Sequence, residues 1–180
     1  MIFHKIKIWN IPDDGYRFQF SRDGRWLAAM LPEKRKAEFE LRRVDVCGVA
    51  AKIGETVTLD MEMNASFYLE CCRCLAGIEY TSRAGLRYTL APFKEGADED
   101  EAALSGDDLN FGYYRGDEIE LDPIVLEQVI LQVPIKPLCK EGCKGLCSIC
   151  GADLNMTVCG CRRQTGHAAF AVLKNFVVHK

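Results

Sequence analysis

Six cysteines fall between residues 139 and 161, at Cys139, Cys143, Cys147, Cys150, Cys159 and Cys161, interleaved with Gly142, Gly145, Gly151 and Gly160. A thiolate is a soft metal donor, and glycine lets a backbone turn tightly around an ion, so this pattern reads first as metal chemistry. Cys147 and Cys150 form a C-x2-C pair, followed after eight residues by the C-x-C pair of Cys159 and Cys161. Four thiolates in one short loop suffice for one closed tetrahedral site. Cys139 and Cys143 are then left over, as is a second C-x2-C pair far upstream, Cys71 and Cys74. The economical solution joins these four in a second site that ties the tail to the segment around residue 71. A single site with free Cys71 and Cys74 is the alternative, so one or two Zn2+ ions are expected. Cys72 points away from the upstream pair, and Cys47 reads as a small core residue on a strand. Neither is expected to be a ligand.

Other chemistries fit less well. A thioredoxin-like redox pair needs a strand before Cys147 and a helix after it, where the sequence has glycine-rich loop. Four thiolates also suit iron, which keeps a thiol-redox or iron-sulfur protein as an alternative. His4, His167 and His179 are scattered, no glycine loop cradles a phosphate, and no serine sits in a nucleophile elbow. An all-cysteine site leaves no coordination position open to water. No catalytic residue, enzymatic activity or small-molecule substrate is therefore expected.

The elements that must position these sulfurs are strand-rich. Val57, Leu59, Met61, Met63, Ala65, Phe67 and Leu69 alternate with polar residues, and Ile78, Tyr80, Ala84, Leu86, Tyr88 and Leu90 repeat the pattern. Two long antiparallel strands follow, with Cys71 and Cys74 in the turn between them. Ile2, Ile6 and Ile8 mark a shorter strand. Phe39, Leu41, Val44 and Val46 mark another, whose change of phase near Arg42 and Arg43 predicts a bulge. The stretch between these two reads as polar connection. Asp122 and Pro123 suit the cap and first turn of a helix near 122–132, ended by Pro134 and Pro137. A last helix is predicted over His167–Val177. Sheet twist accumulates over strands of this length, so the fold class expected is α+β: a curved antiparallel sheet or partly closed β-barrel with a C-terminal zinc-ribbon-like cysteine module. The domain division expected is a body over 1–133, with an acidic loop over 92–116, and a zinc module with its helix over 134–180.

At 180 residues and 48% hydrophobic content the chain can bury a core without disulfides. No secretory leader or membrane-spanning run is evident, which points to the cytoplasm and to reduced thiols. The formal charge of −3 is local: removing the seven acids between Glu95 and Asp108 turns it into +4. Basic residues gather from Arg17 to Arg43 and around the C-terminal cysteines, a distribution that favours an anionic partner.

Several of these residues together resemble a known family. Glu70-Cys71-Cys72-Arg73-Cys74-Leu75, Leu121-Asp122, the segment 131–139, the run from Cys143 to Gly151, Leu154-Asn155 and Phe170-Ala171-Val172-Leu173 are similar to the YceD family, the large ribosomal RNA subunit accumulation proteins of bacteria and plastids. The resemblance implies a role in accumulation of the large-subunit ribosomal RNA, hence in ribosome assembly, without known enzymatic activity. Together with the basic residues it makes that RNA, or its assembly intermediates, the expected partner, contacted through Arg73, Lys140, Lys144, Arg162 and Arg163. A protein-binding scaffold for a ribosomal protein or assembly enzyme is the alternative, suggested by the acidic segment.

Overall fold

The computed structural model describes residues 4–31, 39–93 and 111–161. In chain order these form β1 (Lys5–Lys7), a 3-10 turn (Ile8–Asn10), β2 (Tyr16–Arg22), α1 (Gly24–Met30), β3 (Glu40–Ile53), β4 (Thr56–Glu70), β5 (Gly77–Pro92), β6 (Phe111–Tyr114), β7 (Glu118–Glu120) and α2 (Leu121–Leu131). The class is α+β, as expected. A five-stranded sheet runs in the order β2-β3-β4-β5-β6 and stays open, while β1 and β7 pair separately. Every neighbouring pair in the large sheet is antiparallel except β5 and β6.

β4 lies at the centre of this order and dictates the core. All seven apolar residues of its alternation, Val57 to Leu69, are buried, and the residues between them are not. Such a strand can bury only one face, and period-two patterning fixes which one. Ile6 of β1, Ile119 of β7, Leu121, Val125 and Val129 of α2, and Trp26 and Leu27 of α1 join the same cluster. The register between β3 and β4 shifts between Leu41 and Arg43, which is the bulge that the change of phase predicts.

Four local expectations differ from the structure. The polar stretch between the first two predicted strands contains β2 and α1. Asp23 caps α1 by accepting from the Arg25 and Trp26 amides at 3.0 and 3.1 Å. The acidic loop expected over 92–116 includes β6, held by backbone pairing to the end of β5. Asp122 is not the helix cap. Glu120 holds that position, while Asp122 turns inward from the first turn of α2, fully buried, and meets the Arg22 guanidinium at 2.6 and 3.1 Å. Cys47 is exposed rather than in the core, because Val44 and Val46 take the buried face of β3. The helix predicted over residues 167–177 lies outside the described residues.

Candidate metal centre

The turn joining β4 to β5 brings two cysteines forward. The Cys71 N–H donates to the Ala76 carbonyl at 2.9 Å, and the Leu75 N–H donates to the Cys71 carbonyl at 2.9 Å. Closing the turn this way puts Leu75 at φ 61°, in the left-handed region. The tail repeats the construction at Cys147: its N–H donates to Ala152 O at 2.8 Å, the Gly151 N–H donates to Cys147 O at 2.9 Å, and Gly151 stands at φ 72°. The two C-x2-C pairs thus share one turn geometry, which directs backbone amides toward the leading sulfur. The Ile149 N–H lies 3.5 Å from Cys147 Sγ.

Backbone contacts seat the tail on this hairpin turn. The Cys72 N–H donates to Pro137 O at 2.9 Å, the Leu146 N–H to Arg73 O at 3.0 Å, and Arg73 Nη1 to Cys143 O at 2.8 Å. Gly145 is required at the crossing. Its φ is 74°, and a Cβ there would lie 2.9 Å from the Arg73 carbonyl oxygen.

This seating collects the sulfurs into two groups, Cys71, Cys74, Cys139 and Cys143 in one and Cys147, Cys150, Cys159 and Cys161 in the other. Within each group every sulfur lies within 4.8 Å of the rest. Cys71 and Cys143 are 3.8 Å apart and Cys74 and Cys139 are 3.6 Å apart, too far for disulfides. Donors at about 2.3 Å around a tetrahedral ion would be separated by about 3.8 Å. Either tetrad could therefore hold a metal ion. In the first group Cys71, Cys74 and Cys143 are buried and form a small core of their own, flanked by Ile78, Leu138 and Leu146.

The electrostatics also call for a cation. Burial works to raise the Cys71 thiol, but the backbone amides of Arg73, Cys139 and Cys74 outweigh it and bring the pKa down to about 6. The amides of Cys150 and Ile149, with the Cys159 side chain, bring Cys147 down to about 6 as well. Other thiols of each group behave oppositely. Cys143 beside it, and then burial, push Cys139 up to about 12, and Cys150 and burial do the same to Cys161. Cys143 is also lowered while Cys74 is raised, so in each tetrad some thiols ionise readily and others resist joining them, which is the balance a bound cation reverses.

The other residues singled out from the sequence are placed as follows. Cys72 is exposed and lies in neither group. Arg73, Lys140 and Lys144 are exposed around the first tetrad, Arg73 with one guanidinium nitrogen committed to Cys143 O. Arg162 and Arg163 lie outside the described residues. Sequence reasoning assigned no role to Asn155, whose Nδ2 donates to Cys143 Sγ at 3.4 Å and which lowers that thiol's pKa. Its only signal in the sequence is its place in the Leu154-Asn155 element of the family resemblance, because its spacing from Cys143 carries no periodicity.

A family profile described as large ribosomal RNA subunit accumulation protein YceD matches residues 59–177. Over 58 residues the chain is 34% identical to the chloroplastic large ribosomal RNA subunit accumulation protein YCED homolog 1 of Arabidopsis thaliana, which covers 32% of this chain and 18% of that protein. An uncharacterised protein of Mycobacterium leprae is 26% identical over 106 residues, 57% of this chain and 45% of its own length. Another, of Mycobacterium bovis, is 28% identical over 85 residues, 47% and 39% of the two chains. The match thus spans less than half of each of these relatives. No solved structure gives a significant match.

Proposed function

The chain belongs to the YceD family, and from that premise we propose that it is a cytoplasmic, zinc-stiffened, non-catalytic factor supporting accumulation of the large-subunit ribosomal RNA and thereby ribosome assembly. The observation that carries the metal part is the pair of four-sulfur groups with separations suited to a tetrahedral ion. Cys71, Cys74, Cys139 and Cys143 would hold one Zn2+, and Cys147, Cys150, Cys159 and Cys161 the other. Zinc suits an all-thiolate set because it closes the site with four donors and needs no redox partner. When bound, the ion supplies a cross-link: the first group would clamp the tail onto the β4–β5 turn, and the second would close the tail's own loop.

RNA association is the reading we favour for the module's surface. Arg73, Lys140 and Lys144 surround the first group and would contact phosphates of an RNA backbone, with Arg162 and Arg163 adding to the same basic set. A four-thiolate zinc site carries a formal charge of −2. That charge, together with exposed Glu141 beside Lys140, offsets Arg73, Lys140 and Lys144, so attraction of an anion rests on the added charge of Arg162 and Arg163. The described residues include no helix long and apolar enough to cross a membrane.

A second reading has its own supporting feature at the β6 edge of the sheet. A hollow of about 750 Å³ is lined by Tyr113, Asp117, Glu118, Glu120 and Glu127, among others, with Lys5 paired to Glu118 and Glu120 and Arg115 also in the lining. Aromatic faces and carboxylates suit a basic protein segment, such as one of a ribosomal protein.

Metal content by mass spectrometry on untagged protein tests the metal reading. Two zinc ions per chain are expected. Iron would move the reading to an iron-sulfur protein, and absence of metal would overturn it. Retention on large-subunit ribosomal RNA, compared with retention on purified large-subunit proteins, tests the partner. RNA binding that weakens steeply with salt is expected, with log K falling by about 0.7–0.9 per log unit of salt for each phosphate contacted. Absent or salt-insensitive RNA binding, with retention on a protein, would favour the second reading.

A further inference from the structure

Asn155 sits in the loop that the second tetrad closes, between Cys150 and Cys159, yet its side chain acts on the first. Its Oδ1 accepts from the Lys144 N–H at 2.9 Å, which settles the orientation of the carboxamide. The Nδ2 end then faces Cys143 Sγ at 3.4 Å and Asp153 Oδ1 at 2.8 Å, so the acceptor and both donor hydrogens are all in use. Asp153 Oδ1 also accepts from the Asn155 backbone N–H at 2.8 Å. Asp153 is held in turn by an antiparallel bridge to Leu146, and the Leu154 N–H donates to Gly145 O at 2.9 Å.

A short two-stranded ribbon therefore runs between the metal groups. One side carries Cys143 and Cys147 at its ends, a ligand candidate for each group. The other side carries Asn155 and is a span of the Cys147–Cys161 loop. Holding Cys150 and Cys159 around one ion fixes both ends of that span and with them the place of the carboxamide. Without that ion the span is tethered at Cys147 alone, and the ribbon's few hydrogen bonds must order it unaided.

Resting on the metal reading above, we infer that Asn155 is a positioning residue that couples the two groups: filling the Cys147 group orders the strand that aims a hydrogen-bond donor at the Cys143 thiolate, so the second ion tightens the first. A donor on a thiolate offsets part of its negative charge and fixes its rotamer, and partners of this kind change metal affinity by about 10–100-fold when removed. The coupling is reciprocal by linkage, so an ion in the first group also favours the second.

The test follows zinc release from the full, zinc-loaded chain to a chromophoric chelator. Asn155→Ala is expected to bind two ions and to lose the one in the first group about 10-fold faster or more. Cys147→Ser, which retains only the first group, should lose its ion at that same raised rate, and adding Asn155→Ala to it should change nothing further. Asn155→Asp keeps the shape and the acceptor for Lys144 while placing an oxygen against the sulfur, and it should release at least as fast as Asn155→Ala. In cobalt-loaded protein, Asn155→Ala should keep the tetrahedral ligand-field bands while the sulfur-to-metal charge-transfer band moves to lower energy, a shift that mere loosening of the fold would not give. Two ions with unchanged release in both Asn155 variants, or an effect in the double variant that adds to that of Cys147→Ser, overturns the coupling and leaves the metal reading standing. Wild-type protein that binds no ion overturns both.

Discussion

Two residues in matching places of the two cysteine turns carry different backbone costs. Gly151 takes the left-handed conformation freely, whereas Leu75, 61% exposed, takes it against the clash of its own Cβ. Leu75→Gly is expected to stabilise the folded protein by up to about 1 kcal/mol, because relief of a left-handed strain of about 1–2 kcal/mol exceeds the extra chain entropy of glycine. A urea midpoint that falls instead would show that the Leu75 side chain contributes more by packing than the conformation costs. The converse substitutions rank by surroundings. A Cβ at Gly151 meets nothing within 4 Å, while one at Gly145 would lie 2.9 Å from Arg73 O. Gly145→Ala should therefore destabilise the tail more than Gly151→Ala, and proteolysis near Cys139 should accelerate in that order.

Among the elements, β1, β2 and α2 are joined by charge. Asp122 of α2 accepts from Arg22 of β2 and, at 2.6 Å, from the backbone N–H of His4, the residue preceding β1. Burial alone would raise the Asp122 carboxyl, but Arg22 and the His4 amide hold it below its ordinary 3.8. Burial, with Arg22 nearby, pushes the His4 imidazole below its ordinary 6.5. Both folded values are depressed, so both groups favour the folded state above their unfolded values and lose that preference as acid is added. For His4 the loss begins near pH 6.5, where the unfolded chain takes up a proton that the folded chain resists, and for Asp122 it begins near pH 3.8. Stability should therefore decline between pH 7.5 and 5, and His4→Phe at the same metal loading should decline less. Equal slopes for the two proteins would remove His4 from the account. Arg22→Ala leaves a buried carboxylate without its partner and should cost about 3–5 kcal/mol, part of which Asp122→Ala in the same chain should restore. Sequence patterning had Asp122 as a helix cap, since a short acid before an apolar run is the usual signal. Its partner lies 100 positions away, where no local pattern can reveal it.

At the scale of the whole chain, two hydrophobic clusters form among the described residues. The main cluster includes no described residue beyond Val133, and the smaller one consists of Cys71, Cys74 and Cys143 with Leu138, Leu146 and Ile78 against them, Ile78 packing against the main cluster as well. A body over 1–133 and a module from 134 onward is the proposed division. Chelation of the metal is then expected to abolish protease resistance of the whole tail, and Cys147→Ser that of the loop from residue 147 onward, while the sheet keeps its own unfolding transition. Equal loss of both transitions would make the chain a single cooperative unit. Cys74→Ser should loosen the tail only in part, because backbone bonds from Cys72, Arg73 and Leu146 also hold it to the turn.

Features that depend on near neighbours are legible in the order of residues alone. Strict alternation from Val57 to Leu69 dictates a strand with one buried face, and the spacing of Cys147, Cys150, Cys159 and Cys161 sets four sulfurs within one loop. The phase change at Arg42 and Arg43 marks a bulge for the same local reason. Weak local signals were overridden by tertiary context: β2 and α1 lie in a stretch whose charged residues hide Phe18, Trp26 and Leu27, and these find their places only against the main core. The meeting of Cys71 and Cys74 with Cys139 and Cys143 spans 65 or more positions, and spacing could only suggest it by elimination. Tertiary structure decided it, because the docking of the tail depends on backbone donors at Cys72 and Leu146 and on a glycine at 145 that lets two chains cross. The carboxamide of Asn155 became visible for the same reason: a hydrogen bond to a sulfur is a fact of three-dimensional placement, which the order of residues does not state.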